Sequence, residues 1–181
     1  MSDTRPACIV YIATSIDGFI SREDGSFDWL APFEDPAVFE RFESFLATVN
    51  AIVMGRNTFL QVVEFPEWPY HDIPVYVLST SLSALPKNSR KTVVLRNASP
   101  AELLSELESK GIQRIYVDGG ITIQKFLAED LIDELTITRV PIILGSGRTL
   151  FGPVAQDLHF EHISTQAFPS GLVQSKYRRK A

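Results

Sequence analysis

The chain has 181 residues, of which 45% are hydrophobic and 22% are charged, and its formal net charge is −5. This length suits a single domain over residues 1–181, and the negative charge argues against nucleic acid as the main partner. A lone cysteine, Cys8, excludes an intrachain disulfide and a cysteine zinc cluster, and we expect a buried, inert thiol.

Hydropathy and the N-terminal sequence indicate the cellular location that we expect. No apolar stretch approaches the roughly 20 residues that a membrane-spanning helix needs. The sequence also shows no signal peptide pattern. We therefore expect a cytoplasmic protein without a membrane partner.

The first predicted strand covers residues 7–13 and is apolar throughout, which is typical of a central strand covered on both faces. The turn signal Asp17-Gly18 follows, and Phe19 and Ile20 resume the apolar pattern. Loops at the ends of central strands in open α/β sheets are where ligands bind. The same residues also fit an ordinary surface turn.

A loop containing Trp29 leads to the first predicted helix, and the indole ring fits either the core or the wall of a pocket. Asp35 is a good N-cap and Pro36 suits the first helical position. Apolar residues then repeat at helical spacing at Val38, Phe39, Phe42, Leu46 and Val49.

Three later strand ends carry residues suited to phosphate. Residues 51–54 form a buried strand that Gly55 breaks, and Arg56, Asn57 and Thr58 start a helical turn. Residues 74–81 form a strand that ends in the hydroxyl cluster Ser79, Thr80 and Ser81. The strand 115–117 meets Gly119-Gly120 and then a helix with Ile123, Phe126 and Leu127 on one face.

Each junction alone is weak, since Gly-Gly between a strand and a helix is often a plain tight turn. Strands that alternate with helices predict a largely parallel sheet, which gathers such loops at one edge. Guanidinium groups, hydroxyls and helix N-termini all bind phosphate oxygens. Together the three junctions favour a dinucleotide or another polyphosphate ligand.

The remaining segments complete the sheet. Ser99 and Glu102 form a capping box for a helix that ends at Gly111. Residues 131–140 alternate like a strand with one wetter face, and 141–151 form a loop with a weak Gly-Ser-Gly phosphate signal. Residues 158–168 and 172–178 predict a β-hairpin. His159 and His162 would face opposite sides of a strand, so we predict no metal site.

The landmarks above resemble the dihydrofolate reductase-like superfamily, and more closely the reductase domain of bacterial riboflavin biosynthesis and its small stand-alone relatives. The resemblance rests on the order of Ser15 to Gly18, Met54 to Thr58, Val77 to Ser79, Asp118 to Gly120, and Pro141 to Phe151. It implies an α/β fold with a central, mostly parallel sheet flanked by helices and closed by antiparallel C-terminal strands. It also implies NADPH as the hydride donor and a homodimer.

The resemblance also implies roles for individual residues. Backbone groups of Ala13 and Ile20 would hold the nicotinamide carboxamide. Arg56 and Thr58 would contact the phosphates, residues 78–80 the adenosine half, and residues 119–123 the pyrophosphate. The further residues of the cofactor site would be Gly55, Arg56, Asn57, Thr58, Leu78, Ser79, Thr80, Gly119, Gly120, Ile121, Thr122 and Ile123. Phe39, Trp29 and Thr138 would lie on the substrate side.

One departure from that pattern concerns the proton donor. Dihydrofolate reductases carry a carboxylate on the first helix, and the matching position here is Phe39. Asp17 is the nearest replacement acid, although it can equally brace its own turn. The basic residues with which riboflavin-pathway reductases hold a ribosyl phosphate have no match. The aromatic segment 59–71 fits either a substrate-pocket wall or a packed surface loop.

Two functions follow from these expectations. The first is an NADPH-dependent reductase of a small flat heterocycle, pterin- or pyrimidine-like. The second is a nucleotide-binding module that keeps the cofactor crevice without catalysis.

Overall fold

The computed structural model describes residues 5–180. Ten strands lie within this range: β1 (Ala7–Thr14), β2 (Phe19–Ser21), β3 (Ala51–Gly55), β4 (Val75–Leu78), β5 (Val93–Arg96), β6 (Arg114–Asp118), β7 (Glu134–Arg139), β8 (Arg148–Thr149), β9 (Phe160–Ala167) and β10 (Val173–Arg179). The helices are α1 (Pro36–Leu46), α2 (Arg56–Val62), α3 (Pro100–Ser109) and α4 (Gly120–Ala128), with a 3-10 helix at Asp28–Phe33.

The main sheet has the strand order β5-β4-β3-β6-β1-β7-β10-β9. Its first six strands pair in parallel, whereas β10 runs antiparallel to both β7 and β9. The short strands β2 and β8 form a separate antiparallel pair. The predicted fold class is therefore confirmed: a dihydrofolate reductase-like α/β fold with antiparallel C-terminal strands.

Alternation along the central strands places a hydrophobic core on each face of the sheet. In β3, Ala51 and Val53 pack with α3 and α4, whereas Ile52 and Met54 pack with residues of α1 and α2. All four of these side chains are fully buried. The run of apolar residues in the sequence is thus explained by helices on both faces.

Capping residues set the ends of two helices as the sequence predicts. The Asp35 carboxylate accepts a hydrogen bond from the Ala37 N–H at 2.9 Å, with Pro36 in the first turn of α1. Ser99 and Glu102 form the capping box of α3. The predicted C-terminal hairpin is also present, with Gly171 in its turn at φ +87°.

Some local predictions differ from the structure. The loop around Trp29 contains a 3-10 helix, and the loop after residue 141 contains the two-residue strand β8. Both elements are too short to produce a period in the sequence. Cys8 is fully buried as expected, and burial together with the nearby Asp133 carboxylate raises its pKa to about 12.

Phe126 anchors α4 on the sheet, since its side chain is fully buried in the core on that face. We expect Phe126→Ala to lower the free energy of unfolding by about 3–5 kcal/mol, because a large cavity remains. Ile121→Ala is a matched control, because Ile121 lies on the same helix and is 64% exposed. Urea denaturation measures both changes, and equal effects would contradict the assigned packing.

Candidate functional site

A long groove of about 1320 Å³ runs along the carboxyl ends of the parallel strands. The three predicted junctions all line it. They contribute Gly55, Arg56, Asn57 and Thr58 after β3, Leu78, Ser79, Thr80 and Ser81 after β4, and Gly119, Gly120, Ile121 and Thr122 after β6. The groove also contains the cationic side chains Lys125 and Arg148.

Two junctions of this groove contact each other closely because β3 and β6 are neighbours. A Cβ atom at Gly119 would overlap the Thr58 side chain, and Gly119 has φ +89°. A Cβ atom at Gly55 would lie 2.9 Å from Thr122 Oγ1. Each junction thus places a glycine against the threonine of the other, and only glycine suits the left-handed backbone at Gly119.

The first turn of α4 faces the groove without a side-chain cap. Its N-cap is Gly119, whose own N–H donates to Asp118 Oδ1 at 2.8 Å. The N–H groups of a first helical turn have no partner within the helix, and they lie at its positive end. This arrangement suits an anionic ligand such as a pyrophosphate.

Arg56 lies beside the hydroxyl cluster that follows β4. Its Nη1 donates to Ser81 Oγ at 2.6 Å, while Nε donates to Asn57 Oδ1 at 3.1 Å. Ser79 Oγ accepts hydrogen bonds from the N–H groups of Ser81 and Leu82. The guanidinium and the hydroxyls therefore form one exposed polar patch that can contact a phosphate.

A second, smaller cavity of about 780 Å³ opens beside the groove. The two cavities share Ile12, Ala13 and Leu30, so they meet at the end of β1. Most of the lining of the second cavity is apolar or aromatic: Tyr11, Phe33, Val38, Phe39, Phe42, Tyr116, Val140 and Leu172, with Thr138, Glu34, Asp35 and Pro36. Such a lining suits a flat ring.

A buried glutamine, Gln174, links two residues that line this second cavity, Tyr11 and Thr138. Gln174 Nε2 donates to Tyr11 Oη at 2.8 Å and to Thr138 Oγ1 at 2.9 Å. Burial is the main reason why the pKa of Tyr11 lies above its usual value, so this phenol stays neutral. Sequence patterns missed Tyr11 and Gln174, because only the sheet register brings them together.

Asp118 lies where the groove passes the end of β6. Its Oδ2 accepts a hydrogen bond from the Tyr70 hydroxyl at 3.3 Å, and burial raises its pKa above the ordinary aspartate value. Its other carboxylate oxygen holds the Gly119 N–H. Asp118 therefore fixes the turn between β6 and α4.

Asp17 is not positioned as the acid that the sequence predicted. Its carboxylate accepts hydrogen bonds from the N–H groups of Leu144 at 3.2 Å and Gly145 at 2.8 Å. The Ser15 hydroxyl and these N–H groups lower the pKa of Asp17, and the carboxylate lines neither cavity. The geometry contradicts a role as proton donor and favours the alternative, a brace between two loops.

Two other predicted site residues, Ile123 and Trp29, also require correction. Ile123 is fully buried in the core and its N–H donates to Gly119 O, so it does not line the groove. Trp29 is 3% exposed and packs with Val140 behind the wall of the second cavity. Ile20, Phe39 and Thr138 do line the predicted cavities, but Phe39 is 63% exposed and lies at the rim.

The aromatic segment 59–71 does not form the wall of the second cavity. Phe59 is fully buried, whereas Phe65 and Tyr70 line the groove instead. Within residues 5–180, no three His, Cys, Asp or Glu side chains are arranged to hold a metal ion. In the same range, no helix is long and apolar enough to cross a bilayer.

Comparison with known proteins identifies the family of this architecture. The model of the RibD C-terminal domain family matches residues 6–174. The chain is 34% identical over 173 residues to the Uncharacterized protein YwjB of Bacillus subtilis (strain 168), covering 94% of this chain and 97% of that protein.

Two solved structures share the fold of this chain. A putative riboflavin biosynthesis protein from Shewanella sp. PV-4 is 42% identical, with a TM-score of 0.90 over 97% of this chain and 99% of that chain. A dihydrofolate reductase from Enterococcus faecalis, complexed with NADP(H), shares the fold at 18% identity. Its TM-score is 0.67 over 97% of both chains.

The brace formed by Asp17 leads to a direct test. We expect Asp17→Ala to speed hydrogen exchange at the Leu144 and Gly145 amides, because both lose their acceptor. Since the pKa of Asp17 is lowered, the brace persists at neutral pH and weakens only as the pH falls through that pKa. NMR-detected exchange measures the effect, with the exposed Asp157→Ala as control. Unchanged protection in Asp17→Ala would contradict the brace.

Proposed function

The chain belongs to the RibD C-terminal domain family, a family of reductase-like proteins, and from this premise we propose that it is an NADPH-dependent reductase of a small flat heterocycle. The observation that carries the proposal is the junction of the two cavities at Ala13 and Leu30. A polar groove for a dinucleotide thereby meets an apolar pocket for a ring. Hydride transfer needs this juxtaposition of two ligands.

The residues of the groove fit the cofactor. Gly119 and Gly120 line the groove at the start of α4, which has no side-chain cap, so the first-turn N–H groups suit a pyrophosphate. We propose that Arg56 and Thr58 bind phosphate oxygens and that Leu78, Ser79 and Thr80 contact the adenosine half. Ala13 and Ile20 would orient the nicotinamide through backbone groups. When bound, NADPH supplies the hydride.

The proton for this reduction would come from water. Of the two carboxylates at the second cavity, Asp35 accepts hydrogen bonds from the Ser170 hydroxyl at 2.5 Å and the Ala37 N–H at 2.9 Å. These contacts lower the pKa of Asp35, so it remains an ionised helix cap. Glu34 is exposed at the rim. Water entering the open cavity can deliver the proton without a protein acid.

The second candidate function is a nucleotide-binding module of the same fold without catalysis. Phe39 favours it, because an apolar ring at the cavity rim cannot donate a proton. A panel of pterins and pyrimidines, followed by NADPH absorbance, separates the two functions. Consumption of NADPH with any member supports the reductase, whereas tight NADPH binding without turnover of any member supports the module.

We further propose that the chain acts as a single domain in the cytoplasm and as a homodimer. NADPH dependence and a reduced Cys8 thiol fit the cytoplasm. Strand β9 is the edge of the main sheet and nearly all of its residues are exposed, including Ile163. Such edges need covering, and a second copy can provide it. Light scattering should give twice the 20.2 kDa chain mass, and a monomer would contradict the dimer.

Preference for NADPH over NADH is the first prediction from the groove. Arg56 and the Ser79–Ser81 patch can contact the additional phosphate of NADPH. We expect Arg56→Ala to weaken NADPH binding by about 1.5–3 kcal/mol and to weaken NADH binding by less. Calorimetry measures both, with the exposed Arg90→Ala outside the groove as control. Equal affinity of the unmodified protein for the two cofactors would refute the prediction.

Weak dihydrofolate reduction is the second prediction. A carboxylate beside the pterin promotes protonation of the ring, and Phe39 cannot replace it. General acid catalysis contributes about 10²–10⁴-fold, so we expect turnover to fall by that factor below an ordinary rate of about 10 per second. Assays that follow the absorbance of NADPH in the presence of dihydrofolate measure this turnover. Turnover at the ordinary rate would show that another group supplies the proton.

A further inference from the structure

The second cavity differs from the groove in charge. Three cations, Arg56, Lys125 and Arg148, line the groove together with the acids Glu102, Asp118 and Glu129. The described residues that line the second cavity include no lysine or arginine. Its charged lining residues are the carboxylates Glu34 and Asp35. A phosphate would therefore find no cation among the lining residues and two like charges at the rim.

Burial raises the pKa of Tyr11, whereas the positive charge of Arg41 on α1 lowers it, so Arg41 acts on this cavity although it does not line it. Its guanidinium lies over the Phe168 ring, 5.6 Å from the centroid, and it donates to Gln166 Oε1. Phe168 packs with Val140 and Leu172, which line the cavity, but it does not line the cavity itself. The cation is thus directed to the outer strands of the sheet.

One side chain, Gln174, determines that the hydroxyl groups at the cavity act as hydrogen-bond donors. Gln174 lies between Tyr11 and Thr138, is 7% exposed, and donates from Nε2 to both hydroxyl oxygens. An amide nitrogen only donates, so each hydroxyl is an acceptor in these contacts and keeps its own proton. Neither proton is donated to another described residue. Both residues line the cavity, so their hydroxyl protons are available to a ligand there.

The sheet places these donors beside the groove. Ala13 on β1 is opposite Thr138 on β7, which is opposite Gln174 on β10. Tyr11 lies two residues before Ala13, so both side chains point to the same face of the sheet. A ring that contacts both hydroxyls would therefore lie next to the shared wall of the two cavities.

Aromatic side chains define the shape of the space. The Tyr11 and Phe42 ring centroids are 5.4 Å apart, and those of Phe42 and Tyr116 are 6.1 Å apart. The Tyr116 hydroxyl donates to the backbone carbonyl oxygen of Tyr11 at 3.0 Å, which fixes the Tyr116 ring against β1. Rigid aromatic walls favour a flat ligand.

We infer that the second cavity selects an uncharged, flat ring that offers acceptors, carbonyl oxygens or ring nitrogens, to the Tyr11 and Thr138 hydroxyls, and that it excludes phosphorylated forms of such rings. The inference deepens the proposed function, because it rests on this cavity being the substrate site. It narrows the substrate class to dephosphorylated or never-phosphorylated heterocycles.

Lumiflavin and FMN form a matched pair of probes, because they share one ring system and only FMN carries a phosphate. We expect flavin fluorescence titrations, made with NADP⁺ in excess to fill the groove, to show lumiflavin binding at least 10-fold more tightly than FMN. Tyr11→Phe and Thr138→Val should each weaken lumiflavin about 3- to 10-fold, the range for one lost hydrogen bond. Tyr177→Phe, on the same sheet and outside the cavity, is the control and should change nothing.

Gln174→Glu tests the polarity itself. A carboxylate accepts from both hydroxyls, so their protons turn away from the cavity and lumiflavin should bind more weakly than in either single hydroxyl variant. Circular dichroism confirms that each variant folds. Unchanged binding in folded Gln174→Glu would overturn the assigned polarity. The substrate class would be overturned by FMN binding as tightly as lumiflavin, or by lumiflavin not binding.

The same samples separate this inference from the proposed function. A titration followed by NADPH fluorescence, made without flavin, measures cofactor binding alone. FMN binding that is the same in Tyr11→Phe as in the unmodified protein is assigned to the groove. If NADPH does not bind while the lumiflavin pattern holds, the reductase proposal fails and the inference stands. If NADPH binds and the flavin pattern is absent, the inference fails and the reductase proposal stands.

Discussion

The close contact between the β3–α2 and β6–α4 junctions is the constraint on which the candidate site depends. Gly119 lies against Thr58 and Gly55 lies against Thr122, so two helices begin side by side at one edge of the sheet. Each helix start then exposes its backbone to the same groove. Any side chain at Gly119 would separate the junctions and disturb the turn at φ +89°.

Polarity changes sharply where the two cavities meet. On one side of Ala13 lie hydroxyls, charged groups of both signs and a helix N-terminus. On the other side lie mainly apolar and aromatic side chains with the Tyr11 and Thr138 hydroxyls. A single strand, β1, supplies both the shared wall and Tyr11. The strand order explains this position, because β1 is flanked by β6 on the groove side and by β7 with Thr138 on the other. Ligands of unlike chemistry can therefore meet across a few ångströms.

The sequence predicted the fold and the groove because both depend on local patterns. Strand–glycine–helix junctions, hydroxyl clusters and capping residues are read over a few positions, and a parallel sheet gathers them at one edge. The contacts at the second cavity could not be predicted from the sequence, because only the register of β1, β7 and β10 brings Gln174 to Tyr11. Trp29 and Ile123 were misplaced for a related reason, since periodicity does not show which neighbour covers a side chain. Asp17 illustrates a third limit, because its partners lie 127 and 128 positions away.

The cross-strand row of Ala13, Thr138 and Gln174 has an evolutionary consequence. The glycines and hydroxyls of the groove come from the ends of β3, β4 and β6, whereas Thr138 and Gln174 come from β7 and β10. Substitutions on β7 and β10 thus alter the ring-facing wall without touching the junctions that shape the groove. Descendants of one ancestral chain can diverge in the molecules they recognise while inheriting the same groove, because the two sets of residues mutate independently.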